Sequence, residues 1–371
     1  MTPEQQKAKD NGERLLFALK TPGPDNIDFC LQIIKDGANV NIKDENEYTP
    51  LHYAVHKNGA LPVVQALIAA GARVNAKNRY NATPLMLASK HDNKLDIVKT
   101  LIKHKAQLNA VNDEKDTALS YAVTHEAPSI VQQLLNAGAR VNTMNESGET
   151  PVSCAAHNGD LKSLKLLLDK GAKTKKLNDD CETPLSCAAV MGHNTLVQEL
   201  ICRGADLNEK DDDGDTPLFV SIDKECKHVA ETLIKSGADV NIVGNDETSP
   251  LLQAINHRMY DTAMLLLEHG ADVNLQDNWG NTPLSLAAYD GDKKLVRKLL
   301  DKGAQTELRD NEGETAEQLA QKYGFNNIVR MIRQENKKRT IKSFTEAAKK
   351  GTTQKRKIIR TKSKTSGPQS I

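Results

Sequence analysis

The 371-residue sequence is poor in aromatics: Phe, Tyr and Trp make up 4% of it, with Trp279 the sole tryptophan. A core built with so few large rings has to be filled by Leu, Ile, Val and Ala, which suits thin helical layers better than a deep globular interior. Long apolar runs are also missing. No stretch approaches the ~20 residues of a membrane-spanning helix, and the run Leu15 to Leu19 is too short for the core of a signal peptide. The expectation is a soluble, cytoplasmic chain with no membrane partner. The six cysteines, Cys30, Cys154, Cys181, Cys187, Cys202 and Cys226, form no C-x-x-C pair. This argues against a zinc module and a secreted disulfide scaffold, and for a reducing compartment.

Catalytic signatures are absent too. There is no phosphate-binding G-x-x-x-x-G-K loop, no G-x-G-x-x-G, no G-x-S-x-G and no H-E-x-x-H. No catalytic residue and no cofactor are assigned, and a non-enzyme is expected. Residues 209 to 214 set acids and a glycine at calcium-loop offsets, but Val220 stands where the closing Glu should be, so a solvated turn is the better reading. His125, His157 and His257 fall at equivalent places roughly one packed-helix interval (about 8–10 Å) or more apart, too far for a shared metal ion. The same interval separates Cys154 from Cys187 and exceeds disulfide reach.

Net charge is only +1, but it is unevenly spread. From Lys337 onward twelve Lys or Arg face one acid, Glu346, a local balance of +11, so the preceding 336 residues carry −10.

What the sequence does contain is repetition. A Thr or Ser followed by Pro or Ala recurs at positions 49, 83, 117, 150, 183, 216, 249, 282 and 315, in two steps of 34 and six of 33. The hydroxyl can cap the free N–H groups of a starting helix, and Pro fits the first helical position, where no N–H is needed. Small pairs such as Ala155-Ala156 and Ala287-Ala288 let neighbouring helices approach, and Gly159, Gly192 and Gly291 break that helix. A second stripe, Leu295, Val296, Leu299 and Leu300, has helical spacing, and Gly303 stops it. The unit is helix, turn, helix, linking loop. One unit cannot bury its stripe alone, whereas stacked copies share a continuous core.

This unit resembles the ankyrin repeat. T-P-L-H-x-A stands at residues 49 to 54, and G-A-x-V-N at 37 to 41, 71 to 75 and 237 to 241. The resemblance covers residues 11–336 and implies an all-α solenoid of about ten repeats with projecting β-hairpin loops, the first and last repeats serving as caps. The leading repeat keeps only its second helix clearly, residues 1–10 are expected to be disordered, and 337–371 form a basic tail expected as a flexible coil. Departures are local: Lys105 replaces the Gly of G-A, Thr174-Lys175 replaces V-N, and Ala118 and Ala316 replace Pro.

The resemblance also implies that the residues before each Thr form tips which, with the first helices, line a concave face that holds a protein or peptide. Five successive tips between Asn112 and Thr248 carry fourteen acids against one base, Lys115. Candidate contacts there are Asp113, Glu114, Asp116, Glu146, Glu149, Asp179, Asp180, Glu182, Asp212, Asp213 and Asp215, which would favour a basic partner. Asp and Asn are also ordinary turn formers, so the row has a purely structural alternative. Trp279, Tyr48 and Tyr80 sit in tips where small residues are usual, either as exposed anchors or lying on the neighbouring loop. The expected role is a monomeric, non-catalytic scaffold or adaptor. The alternatives are a nuclear regulator touching nucleic acid through its basic tail, rather than in the groove, and a secreted effector of an intracellular bacterium.

Overall fold

The computed structural model describes residues 2–21, 26–57, 60–175, 183–211, 213–244 and 247–362, with side chains of the last helix as far as Ser343 and at Thr345. Ten helix pairs follow one another, and the only β pairing among the described residues is one bridge between Arg309 and Thr315. Among the described residues the projecting loops are tight five-residue turns, one of them flanked by that antiparallel bridge. The chain divides into two compact units, Met1–Ala238 and Asp239–Ile371.

In the first unit the first helices are Pro3–Lys20, Pro50–His56, Pro84–Ala88, Ala118–Thr124, Pro151–Asn158, Pro184–Val190 and Pro217–Asp223. Their partners are Asn26–Lys35, Leu61–Ala69, Leu95–Lys103, Pro128–Asn136, Leu161–Asp169, Asn194–Cys202 and Lys227–Lys235. The second unit pairs Pro250–Asn256 with Tyr260–Glu268, Pro283–Asp290 with Lys293–Asp301, and Ala316–Lys322 with Asn326–Lys362. Within each unit first helices pack on first helices and second helices on second helices. The core is aliphatic, as the composition requires: Leu51, Leu85, Leu119, Leu185 and their equivalents are fully buried.

The ends extend the repeats further than the sequence suggests. The leading repeat has a complete first helix starting at Pro3, because Thr2 and Gln5 form a capping box and Pro3 occupies the first turn. The carbonyl of Ala8 accepts from Asn39 N at 2.9 Å, and Leu15, Leu16 and Leu19 are buried. At the other end Asn326–Lys362 continues as helix past residue 336. The segment cannot build a core, but Lys, Arg, Gln and Ala are good helix formers. Arg339 also ties it down by donating to the carbonyls of Ala304 and Leu300 at 2.9 and 3.5 Å.

The repeated Thr does what its position predicts. Thr117, Thr150, Thr183, Thr216 and Thr282 each accept the backbone N–H three residues on, at 3.0 to 3.3 Å. The first tip departs from this pattern. His52 Nδ1 accepts from Thr49 N at 3.1 Å, which leaves the proton on Nε2, 3.2 Å from the carbonyl of Ala82 in the next repeat. Burial holds this ring neutral, with its pKa pushed down to about 4. Gly291 ends its helix at φ +77°, and a Cβ there would lie 2.5 Å from the Phe325 ring, so any other residue would be strained and would have to displace that ring.

On the loop edge a single amide forms each of six rungs that join one repeat to the next. Asn41, Asn75, Asn109 and Asn142 accept from Arg73 N, Gln107 N, Arg140 N and Lys173 N at 2.8 to 3.0 Å. Asn41, Asn75 and Asn142 also donate to the carbonyls of Gly71, Lys105 and Gly171. In the second unit Asn241 and Asn274 bond Asp272 N and Gln305 N in the same way, both at 2.8 Å. Lys175 occupies the next rung after Asn142 and has no amide to offer. A rung of this kind contributes about 1 kcal/mol.

Candidate partner-binding surface

Among the described residues, most tips are built around a first-position Asn or Asp. In Asn112–Asp116, the backbone N–H of Asn112 donates to the carbonyl of Asp116 at 3.1 Å, and the Asn112 side chain accepts from Asp116 N at 2.7 Å. Asp211 holds Asp215 N at 2.8 Å and Asn145 holds Glu149 N at 2.9 Å. Asp277 takes both Trp279 N and Asn281 N, at 2.9 and 2.8 Å, and Asp310 takes Glu312 N and Glu314 N at 3.0 and 2.8 Å. These first-position acids are turn formers, as the structural alternative held. The fourth position of each described tip is left-handed, at φ +60° for Lys115 and +76° for Gly280.

Neighbouring tips are joined backbone to backbone. Arg79 N donates to Asn46 O, Asp113 N to Tyr80 O and Glu146 N to Glu114 O, at 2.8 to 3.2 Å. In the second unit Asn311 N donates to Trp279 O at 2.9 Å, and a Cβ on Gly280 would sit 3.0 Å from that same nitrogen. The second residue of one tip is thereby fixed against the third residue of the tip before it, whose side chain is left facing outward.

The acids of the first unit divide accordingly. Asp113, Glu114, Glu146 and Glu149 are exposed and share two adjoining tips, while Asp116 is half-buried between them. Burial pushes the Asp116 carboxyl up; a hydrogen bond from Ser120 works against this, and the Glu114 and Glu149 charges add to it. The thiol of Cys154, behind the same tips, is pushed up to about 12 by burial first and then by Glu149 and Asp116. Cys154 and Cys187 are both buried. Asp213 is exposed and Asp215 half-buried on their own tip, while Asp179, Asp180, Glu182 and Asp212 lie outside the described residues.

The aromatic candidates separate as well. Tyr48 is half-buried against His52 and Tyr53, with ring centroids 5.5 and 5.3 Å away, so it belongs to its own repeat. Tyr80 is 56% and Trp279 62% exposed. Trp279 opens onto a groove of about 490 Å³ within the second unit, lined also by Leu286, Tyr289, Leu319 and Tyr323. Tyr289 and Tyr323 stand edge to face, 4.6 Å apart. Neither tyrosine stands in a tip; both fall at the ends of first helices, which the sequence pattern alone does not mark as a binding position. The available signal was that histidine, His125 and His157, holds that place in earlier repeats.

No described helix is long and apolar enough to cross a membrane. A family model described as ankyrin repeats, in three copies, matches overlapping stretches that together run from residue 15 to residue 342. No curated protein matches the chain.

Proposed function

The chain belongs to the ankyrin-repeat family, whose repeats are generally protein–protein interaction modules, and we propose that it is a non-catalytic scaffold holding a protein or peptide along its tips. The observation that carries this reading is the tip-to-tip backbone bonding, which fixes a row of outward-facing side chains at no folding role of their own. Asn46, Tyr80 and Glu114 are exposed members of that row in the first unit, and the exposed Glu146 adjoins Glu114. A surface fixed before binding loses little ordering entropy when a partner arrives. Two adjoining acidic tips favour a partner with a basic face, and the steering they supply weakens with salt.

The test is affinity capture from native lysate with the full chain and with a Glu114→Lys, Glu146→Lys, Glu149→Lys variant, identified by mass spectrometry. A discrete protein held by the first and lost by the second supports the acidic tips as its seat. Equal capture by both moves the contact elsewhere on the chain. A protein released only by adding nucleic acid would favour the basic C-terminal helix and the nucleic-acid reading.

A further inference from the structure

The second unit exposes four large hydrophobic side chains among its described residues: Trp279, Tyr289, Tyr323 and Ile341. Three of the four line a single groove. Exposed rings gathered in one concavity mark a binding surface more than a random excess does. The groove follows the helix Pro283–Asp290, with Trp279 at the tip end and the Tyr289–Tyr323 pair at the other. Seven helical residues from Thr282 to Tyr289 span about 10 Å, the length of three extended residues.

The rim is acidic. Asp310, Glu312 and Glu314 line it against one base, Lys322. They are not equivalent. Asp310 is committed to its turn, and Glu314 takes Lys322 at 3.0 and 3.2 Å. Glu312 is exposed at the tip that follows Trp279, and it is the carboxylate that the groove itself leaves for a ligand. The Trp279 backbone beside it is held by Asp277, through its own N–H, and by Asn311 N, through its carbonyl.

We propose that this groove binds an extended peptide carrying an arginine, whose guanidinium stacks on Trp279 and pairs with Glu312, while an apolar residue two or three positions away rests on Leu286 and the two tyrosines. Arginine fits better than lysine because its planar, weakly hydrated head can lie on a ring face and still present two N–H groups to one carboxylate. The inference rests on reading the chain as a binding module, but on residues other than the acidic tips of the first unit.

A phage-displayed library of random dodecapeptides, selected on the immobilised full chain, tests it. The enriched peptides are expected to share an arginine within four positions of Leu, Ile or Pro. Made synthetically, they should weaken about tenfold when Trp279→Ala or Glu312→Arg is introduced, and by a similar factor when the peptide arginine becomes glutamine. Replacing it with lysine should weaken them less. The Glu114→Lys, Glu146→Lys, Glu149→Lys variant should bind these peptides unchanged, so loss of the first-unit site and loss of this one read out separately. Circular dichroism should show Trp279→Ala folded, since the ring is mostly in solvent. No selective enrichment, enrichment without arginine, or affinity indifferent to Trp279 would each overturn the proposal.

Discussion

Two pairs of neighbouring tips, one around Glu114 and Glu146 and one around Trp279 and Asn311, share a backbone and differ in everything a partner would touch. Both close on a first-position Asn or Asp, and both join through one N–H to carbonyl bond, 2.8 Å in the acidic pair and 2.9 Å in the aromatic one. Yet the first presents carboxylates and the second an indole. The lesson is that framework and surface chemistry occupy different positions of the same five-residue turn. The first and fourth positions are fixed by hydrogen bonding and φ, while the third is free to vary.

The comparison breaks most visibly at the framework positions. Asp277 is 7% exposed and accepts from two backbone N–H groups and the Asn281 side chain. Asp277→Ala leaves those donors unsatisfied and should cost about 3 kcal/mol, read as a lower urea midpoint. Asn112→Ala, its acidic-pair counterpart, should cost nearly as much. An unchanged midpoint in either would show that the turn closes without its cap.

Acid distinguishes the first tip, where a histidine does the capping. His52 is neutral in the folded chain with a pKa near 4, whereas the unfolded chain binds its proton around pH 6.5. The unfolded state therefore holds more protons between those values, and stability falls as pH drops from about 6.5 toward 4, by up to roughly 3 kcal/mol. Urea midpoints at pH 7 and pH 5 should differ more in the wild type than in His52→Gln. Equal differences would mean that His52 is not the titrating group.

Smaller effects are expected where a repeat departs from its neighbours. Lys105 holds φ +65°, a place Gly takes at positions 71, 138 and 171, so Lys105→Gly should add up to about 1 kcal/mol. Lys175→Asn would supply the missing rung and add a similar amount, and hydrogen exchange at Asp206 N would show the new bond as slowed exchange. Smallest of all are the outward positions. Trp279→Ala and Glu114→Gln should each shift stability by less than about 0.5 kcal/mol, although both belong to surfaces proposed to bind.

The architecture was legible because the period repeats the same physical requirements: a hydroxyl before a helix, a small pair inside it, a glycine after the second. The tips were legible only in part. Asp211 reads as one charge in a row, but its carboxylate is spent on its own turn, a role set by φ and ψ that composition alone does not reveal. The exposure of Trp279 could not be decided from sequence because it depends on where the Asn311 tip lies. Tyr289 and Tyr323 come together only through stacking, being 34 positions apart. The ladder was visible as the motif V-N at Asn41, Asn75 and Asn142, with L-N at Asn109, yet its purpose, reaching across to the next loop, needed coordinates.

The break in that ladder at Lys175 has a mechanical side. A chain of identical clamps shares a pull between its ends evenly, and each clamp yields at the same tension. Where one clamp is missing, helix packing and the Arg203–Asp169 and Lys165–Glu199 ion pairs across that seam carry more of the load. If the first unit were drawn out between its two ends, as in an optical trap, the seam between Lys175 and Asp206 is where parting should begin, and the repeats on either side should come away as two blocks before either one unravels.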